Sequence, residues 1–398
     1  IESTAGAKAL TKLLNSDYKK KYGDNEETEI NSVEDFILNY LLLNKSAQAI
    51  TTFGEDWLKY IHPITGRIHT SFRQILSTGR ISSNNPNIQN IPGDVEYRKA
   101  FIPSLGNKFI NSDFAAQEVR ILSEVSKDPS MLSFFNDGHP IFKDDFHCFV
   151  ASKMFSVIRN EPDLIVTKKT HPKERQDAKA ISFKISYGGS AYTLKDDFGV
   201  VEEVAQKFID GFFEAFPSLK RNFEEAMATA MKLGYIEIDN ITKRRWFFKD
   251  FKKMKSLNDK AWSLYPENYS KLTKEKKELV KKELKETHPE LKDIWSEYFS
   301  LKGKLERNAL NYRIQGLAGS QTKRAGVLFR EHQLKNNLQN TTWLVSLIHD
   351  EALSETIPEY AEKAKILLEN CMVNGAQEYC KNVKMAAEGF IVDWWHHD

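Results

Sequence analysis

The chain reads as an α+β protein with a small antiparallel sheet. Three observations lead there. Helical periodicity recurs in blocks along the 398 residues. The strand-like runs are few and non-adjacent, unlike the regular alternation of a parallel α/β sheet. One of them, around 342–357, folds back on itself as a hairpin.

In chain order, residues 8–22 and 33–60 read as helices, separated by the polar, acidic break Gly23-Asp24-Asn25-Glu26-Glu27. His62 to Thr70 looks like a turn entering a strand, and the Ser-, Asn-, Gly- and Pro-rich stretch 77–92 an extended loop. Lys108 to Asp113 is a short strand ending on an acid, and Gln117 to Ser126 has helical spacing. Helices are expected over 140–160, 174–188, 200–215 and 217–233, then a hairpin over 234–249. Residues 252–304 turn Lys- and Glu-rich and helical; a helix near 307–335, the hairpin, a helix at 359–380 and a strand near 383–393 complete the chain.

Composition bounds the function. Lys+Arg at 57 against Asp+Glu at 55 gives a net charge of +2, so any nucleic-acid surface is a local patch. No apolar run of about 18 residues occurs, which argues against a membrane span. Cys148, Cys371 and Cys380 lack C-x-x-C spacing, which disfavours zinc or a disulfide framework and suggests a reducing, intracellular setting. The abrupt start at Ile1, with no initiator Met and no signal segment, reads as a fragment or a processed product.

Two features carry chemistry. Arg175, Lys179, Phe183 and Tyr187 recur every four residues, and in a helix each step of four advances only about 40°. Two cations followed by two flat rings along one face suit a ligand with phosphates at one end and a base at the other. The following Gly188-Gly189 is a plausible stop. By spacing alone, a basic amphipathic helix with buried aromatics explains the pattern better. The second feature is a pair of acids, Asp113 at a strand end and Asp350 at the hairpin turn. Carboxylates on adjacent strand ends can hold two Mg²⁺ ions about 4 Å apart, a clamp for in-line phosphoryl displacement. Such ions need only one or two carboxylates plus substrate phosphate. Alone, either acid is an ordinary turn residue.

Five ordered blocks tip the balance: T-G-R-I-S-S-N-N-P-N-I-Q-N-I-P (78–92), D-F-A-A-Q-E-V-R (113–120), R-x3-K-x3-F-x3-Y-G (175–188), R-N-A-L-N-Y-R-I-Q-G (307–316) and H-D-E (349–351). Together they resemble the polymerase domain of family A DNA polymerases, over roughly 33–398, with residues 3–7 as a further short match. The resemblance implies a right-hand architecture: a small antiparallel palm sheet from 61–136 and 304–398, helical fingers over 137–303 including a Lys-rich insertion at 252–303, and a partial helical thumb over 1–60. It implies a monomeric, intracellular and soluble enzyme that copies primer–template DNA with dNTPs. Two Mg²⁺ ions serve it, with Mn²⁺ able to substitute.

The resemblance also assigns roles. Asp113 and Asp350 match the metal-binding carboxylates, and Glu351 an acid supporting them. Arg175, Lys179 and His147 match triphosphate contacts, with Lys179 well placed as a general acid toward pyrophosphate. Phe183 matches the residue packed on the sugar and base, which implies poor acceptance of dideoxynucleotides. Tyr187 matches one beside the templating pair, and Glu118 the steric gate against a ribose 2′-OH. Arg80, Gln89, Arg307, Asn311 and Gln315 match duplex contacts, and His349 one near the primer terminus. Minor-groove acceptors are common to every correct pair, so donors there test geometry without reading sequence.

Departures from the family pattern are informative. Phe114 stands where a tyrosine is usual, removing any hydrogen bond from that position to Glu118, and Lys184 replaces a small glycine. The stretch 252–304 is longer than in bacterial members and reads as a solvated insertion or, less simply, a contact to DNA or a partner. No D-x-E proofreading motif appears in a suitable context, so an exonuclease domain or accessory factor would lie outside this chain. Two other classes stay open: a non-catalytic polymerase-fold subunit, disfavoured by both acids, and a single-subunit RNA polymerase, disfavoured by Glu118 and the 78–92 block.

Overall fold

The computed structural model describes residues 27–198 and 201–396. The helix expected over 8–22 and the match at 3–7 lie outside these. Helix α1 (Glu27–Phe53) leads through a 3-10 turn to the β1 (Ser71–Arg73) and β2 (Ser82–Asn84) ribbon. The segment expected as a plain loop thus holds a strand and a 3-10 turn at Ile88–Asn90, tied down by the Thr70 hydroxyl donating to the Pro86 carbonyl at 2.7 Å. A short helix, α2 (Val95–Arg98), precedes the central strand β3 (Lys108–Phe114).

A run of helices follows: α3 (Gln117–Ser126), α4 (Pro129–Asp137), α5 (Phe146–Arg159), α6 (Pro172–Ser186), α7 (Ala191–Phe198), α8 (Glu202–Ala215) and α9 (Pro217–Leu233), then α10 (Phe251–Ser263) after the hairpin of β4 (Tyr235–Glu237) and β5 (Arg245–Phe247). Sequence periodicity missed α4 and α7, both shorter than ten residues. Helix α11 (Lys274–Thr287) leads into α12 (Leu291–Lys335), 45 residues and about 68 Å long. The boundary expected between 303 and 304 therefore falls inside one continuous helix. Composition changes there, but both halves are rich in good helix formers and nothing breaks the backbone. Strands β6 (Thr342–Ile348) and β7 (Glu351–Thr356), helix α13 (Ala361–Gln377) and strand β8 (Ala387–Val392) close the chain.

The main sheet is antiparallel, in the order β6-β7-β3-β8. One face, through Ile110, Phe114 and Ala352, packs on a large core with α3, α5, α6, α8, α9, α12 and α13. The other face, through Phe109, Leu353 and Val392, packs on Ile91 and Trp395. Covered on both sides, β7 is buried along its whole length. Its Glu355 is tolerated there because Arg67, at 2.9 Å, the Ser104 amide, at 3.1 Å, and Asn107, at 2.7 Å, donate to it. Burial alone would push this carboxyl up, but those bonds bring it below the usual carboxylate range.

Candidate active site

The two acids meet where β3 ends beside the β6–β7 turn. Asp113 pairs in register with Glu351, and the Phe114 amide donates to the Asp350 carbonyl at 3.2 Å. The turn is only His349-Asp350, and His349 takes φ +56°, a left-handed conformation uncommon for a side-chain-bearing residue. It is held from two sides: Thr322 of α12 donates to the His349 carbonyl at 3.2 Å, and the His349 ring meets the Gln89 carbonyl at 3.2 Å. Burial, then the negative charge of Glu118, raises the Asp350 carboxyl above its usual range. Glu351 is buried against Arg98, at 3.6 Å, and Trp395, whose indole N–H donates to it.

Glu118 sits in the first turn of α3, after a left-handed Ala116 with φ +55° that swings the chain from strand to helix. Arg120 braces this turn, donating from Nε to the Ala115 carbonyl at 2.8 Å with its guanidinium over the Phe135 ring. The Glu118 carboxylate accepts from both the Tyr187 hydroxyl and the Arg80 guanidinium. Phe114, where a tyrosine was usual, is buried in the core; the donors to Glu118 come instead from 38 and 69 residues away.

Helix α6 starts on Pro172 and buries Ala178, Ile181 and Ile185. It ends at Ser186, so Tyr187 is its cap and not, as the four-residue spacing implied, a member of the helix. Gly188 follows at φ +74°, its amide bonding the Ile185 carbonyl at 2.9 Å, the left-handed exit that glycine permits. Arg175 is paired through Nε with Asp145 at 3.0 Å, while Lys179 is exposed and Lys184 half-buried. The His147 and Phe183 rings lie 5.9 Å apart. Burial, then the charges of Lys179 and Arg175, hold His147 down to about 4, so its imidazole is neutral at ordinary pH. For Tyr187, burial and then Glu118 push the phenol well above its usual value, keeping it a donor. Glu118, His147, Phe183 and Tyr187 line one narrow crevice with Phe146 and Ile314.

Arg307, Asn311 and Gln315 recur every four residues on α12. Arg307 backs Gly188, where a Cβ would come within 3.0 Å of its Cγ, and Gln315 lies near the Tyr187 hydroxyl. The Asn311 side-chain oxygen is buried with no hydrogen-bond partner among the described residues. Gln89 donates to the Leu347 carbonyl at 3.1 Å, and Arg80, Gln89, Thr322 and His349 line a narrow groove beside the acids. All fifteen residues singled out from the sequence thus fall on the segments around this site. Asp145 and Arg244 did not stand out there, and Arg120 was visible only as the last residue of the 113–120 block. Asp145 caps the helix that starts at Phe146, its carboxylate accepting from the Cys148 amide at 3.1 Å, whereas sequence periodicity runs the helix through it from 140.

The donors suit hard divalent cations. Asp113 and Asp350 supply carboxylate oxygens at neighbouring strand ends, and Glu118 adds negative charge beside them. Among the described residues no cluster of three or more His, Cys, Asp or Glu forms a cage, which Mg²⁺ working on phosphates does not need.

The model for DNA polymerase family A matches residues 8–397, nearly the whole chain. The chain belongs to that family. Its relatives include DNA polymerase I of Streptococcus pneumoniae, 28% identical over 347 residues, which cover 86% of this chain and 32% of that protein. Thermostable DNA polymerase I of Thermus aquaticus is 33% identical over 239 residues, 58% of this chain and 27% of that protein. The chain therefore spans about a third of the length of such relatives. A solved polymerase domain of Pol1 from M. smegmatis, in complex with DNA primer-template and dNTP, superposes with a TM-score of 0.69 at 24% identity, covering 94% of this chain and 57% of that one. The α+β fold is accordingly that of a family A polymerase domain. No helix among the described residues is long and apolar enough to cross a membrane.

Proposed function

We propose that this chain is a template-directed DNA polymerase that extends a primer 3′-OH with dNTPs and releases pyrophosphate, with no proofreading exonuclease within these 398 residues. The observation that carries the reading is the meeting of Asp113 and Asp350 at the β3/β7 junction, directly beside Glu118. The M. smegmatis polymerase domain is in complex with DNA primer-template and dNTP, which supports the choice of substrates. In this reading the palm is 61–136 with 304–398, the fingers 137–303, and a partial thumb 1–60.

Two divalent cations held by Asp113 and Asp350 together with substrate phosphate would activate the 3′-OH and offset charge on the pyrophosphate. The chain's own groups do the rest. Arg175, oriented through its Nε by Asp145, and the exposed Lys179 bind the triphosphate, and Lys179 can deliver a proton to the leaving group. His147, neutral and semi-buried, adds a hydrogen bond without a charge. Phe183 packs on the sugar, and the Glu118 carboxylate, fixed by Arg80 and Tyr187, occupies the space a 2′-OH would need. Glu351, locked by Arg98 and Trp395, positions the turn that carries Asp350. Arg80, Gln89, Arg307, Asn311, Gln315 and His349 contact the duplex end.

Primer extension with Mg²⁺ tests the proposal. The protein should extend a primed template with dNTPs far better than with rNTPs, and Asp350→Asn should all but abolish extension, as expected when a ligand of the reacting centre is lost. Extension surviving Asp350→Asn at the original rate overturns the metal assignment. Equal use of rNTPs overturns the gate.

A further inference from the structure

Arg244, where the loop of the β4–β5 hairpin enters β5, reaches two other parts of the chain at once. Its Nη1 donates to the Thr78 carbonyl at 3.3 Å. Its Nη2 donates to the Gly316 carbonyl at 2.5 Å and the Ser320 hydroxyl at 2.9 Å, both on α12. The Nη1 edge of the guanidinium comes against Gly79, where a Cβ would fall 1.5 Å from Nη1, and Gly79 itself takes φ +85°, so a side chain there would be strained and would displace Arg244. The loop running from Gln74 to Arg80 is tied at its other end too, because Lys323 of α12 donates to the Gln74 carbonyl at 2.6 Å.

The hairpin tip is built to hold still. Buried Asp239 accepts from the Ile241 amide at 3.1 Å, the Thr242 amide at 2.6 Å and the Thr242 hydroxyl at 2.9 Å. The Ile238 amide donates to the Arg244 carbonyl at 2.8 Å, and Ile238 and Phe248 anchor the hairpin in an apolar cluster with Met254 and Leu305. The residue after Gly79 is Arg80, whose guanidinium pairs with Glu118.

We propose that Arg244 is a positioning residue: it clamps the Thr78–Arg80 backbone to α12 and thereby sets the Arg80–Glu118 pair that discriminates the sugar. A planar fork reaching acceptors on two chain segments does this, whereas a lysine ammonium is a single point donor. The inference rests on the polymerase reading above and extends it to a residue that touches neither substrate nor metal.

The test compares wild type, Arg244→Ala, Arg244→Lys, Arg80→Ala and the Arg80→Ala/Arg244→Ala double variant in primer extension with Mg²⁺. The readouts are the ratio of kcat/KM for a dNTP over its rNTP and the thermal midpoint of each protein. Arg244→Ala should lower the ratio about tenfold, Arg244→Lys should fall between it and wild type, and the double variant should match Arg80→Ala, because coupled residues are non-additive. An unchanged ratio in Arg244→Ala overturns the inference, as does an equal drop with and without Arg80. Should Arg244→Ala not fold, Ser320→Ala and Arg244→Lys replace it, and an unchanged ratio in both overturns it equally. A wild-type protein that extends no primer refutes the polymerase reading itself and is told apart by that control.

Discussion

Helix α12 carries two glycines for which the same substitution should act with opposite sign. At Gly319 an added Cβ would lie 2.8 Å from the Gly79 carbonyl oxygen, 3.0 Å from its carbon and 3.1 Å from the Arg80 amide nitrogen. All three are backbone atoms, so relief requires the loop to retreat by roughly half an ångström to reach ordinary contact distances of about 3.5 Å. Such overpacking costs about 1–3 kcal/mol, against a gain of about 1 kcal/mol from alanine in a helix interior. Gly319→Ala should therefore lose stability by up to about 2 kcal/mol. At Gly326 the new Cβ meets only the ends of Leu347, at 3.2 Å, and Leu344, at 3.6 Å, which can rotate away. Gly326→Ala should be neutral or stabilising by up to about 1 kcal/mol. Denaturant unfolding measures both. Because the Gly319 clash moves Arg80, the rate of primer extension should also fall several-fold there, in line with roughly a hundredfold per ångström of misplacement. Equal stability shifts at the two glycines would refute the reasoning.

Three further outcomes follow from the same geometry. His147 has a folded pKa of about 4, below the unfolded value of 6.5, so the unfolded chain takes up its proton first. Its contribution is complete above pH 6.5 and is lost as pH falls toward 4, about 2 kcal/mol by pH 5; Arg175, Lys179 and Asp145 are the charges around it. His147→Gln should remove that slope from the pH dependence of unfolding, and an unchanged slope would contradict the assignment. Asp145→Asn keeps an acceptor for the Cys148 amide but weakens the pair with Arg175 at 3.0 Å, so the dNTP KM should rise several-fold while the melting temperature barely moves. Asp128 caps α4 by accepting from the Ser130 amide at 3.1 Å and the Met131 amide at 3.3 Å; Asp128→Ala should cost about 1–2 kcal/mol in unfolding experiments, with dNTP kinetics unaffected.

What the sequence disclosed depended on how local the cause was. Asp113 and Asp350 were legible because a strand end and a two-residue turn are local patterns, and Gln117–Ser126 because its apolar period is regular. The face of α6 was legible by spacing until Tyr187, where Gly188 takes the chain out of the helix one residue early. The partners of Glu118 were not legible. Losing a tyrosine at 114 implied a lost bond, yet Arg80 and Tyr187 supply donors from segments that only the fold brings together. Arg244 was hidden for a similar reason. It is the middle of the basic run Lys243-Arg244-Arg245, and nothing periodic says which of the three turns inward. Space for it exists because Gly79, in a distant segment, lacks a side chain.

The Lys-rich stretch gains a role from the same long helix. Arg307, Gln315, Gly319 and Thr322 put one α12 stripe in touch with the end of α6, the Arg80 loop and the His349–Asp350 turn. Three segments that carry the site are thus registered against a single rod, and the rod must not bend. Its N-terminal half is where that demand is hardest to meet, since it extends beyond the main core. There Ala261 of α10 and Leu284 of α11 pack on Leu291 and Ile294, while Met254 of α10 joins Leu305 and Ala309. The lysines and glutamates of 252–303 face outward around these few apolar contacts, several of them in exposed pairs such as Lys281–Glu278 that contribute little on their own. An apolar inner face on α12 with a mixed-charge outer face is what a buttress requires. Such a role fits the length and mixed charge of residues 252–303.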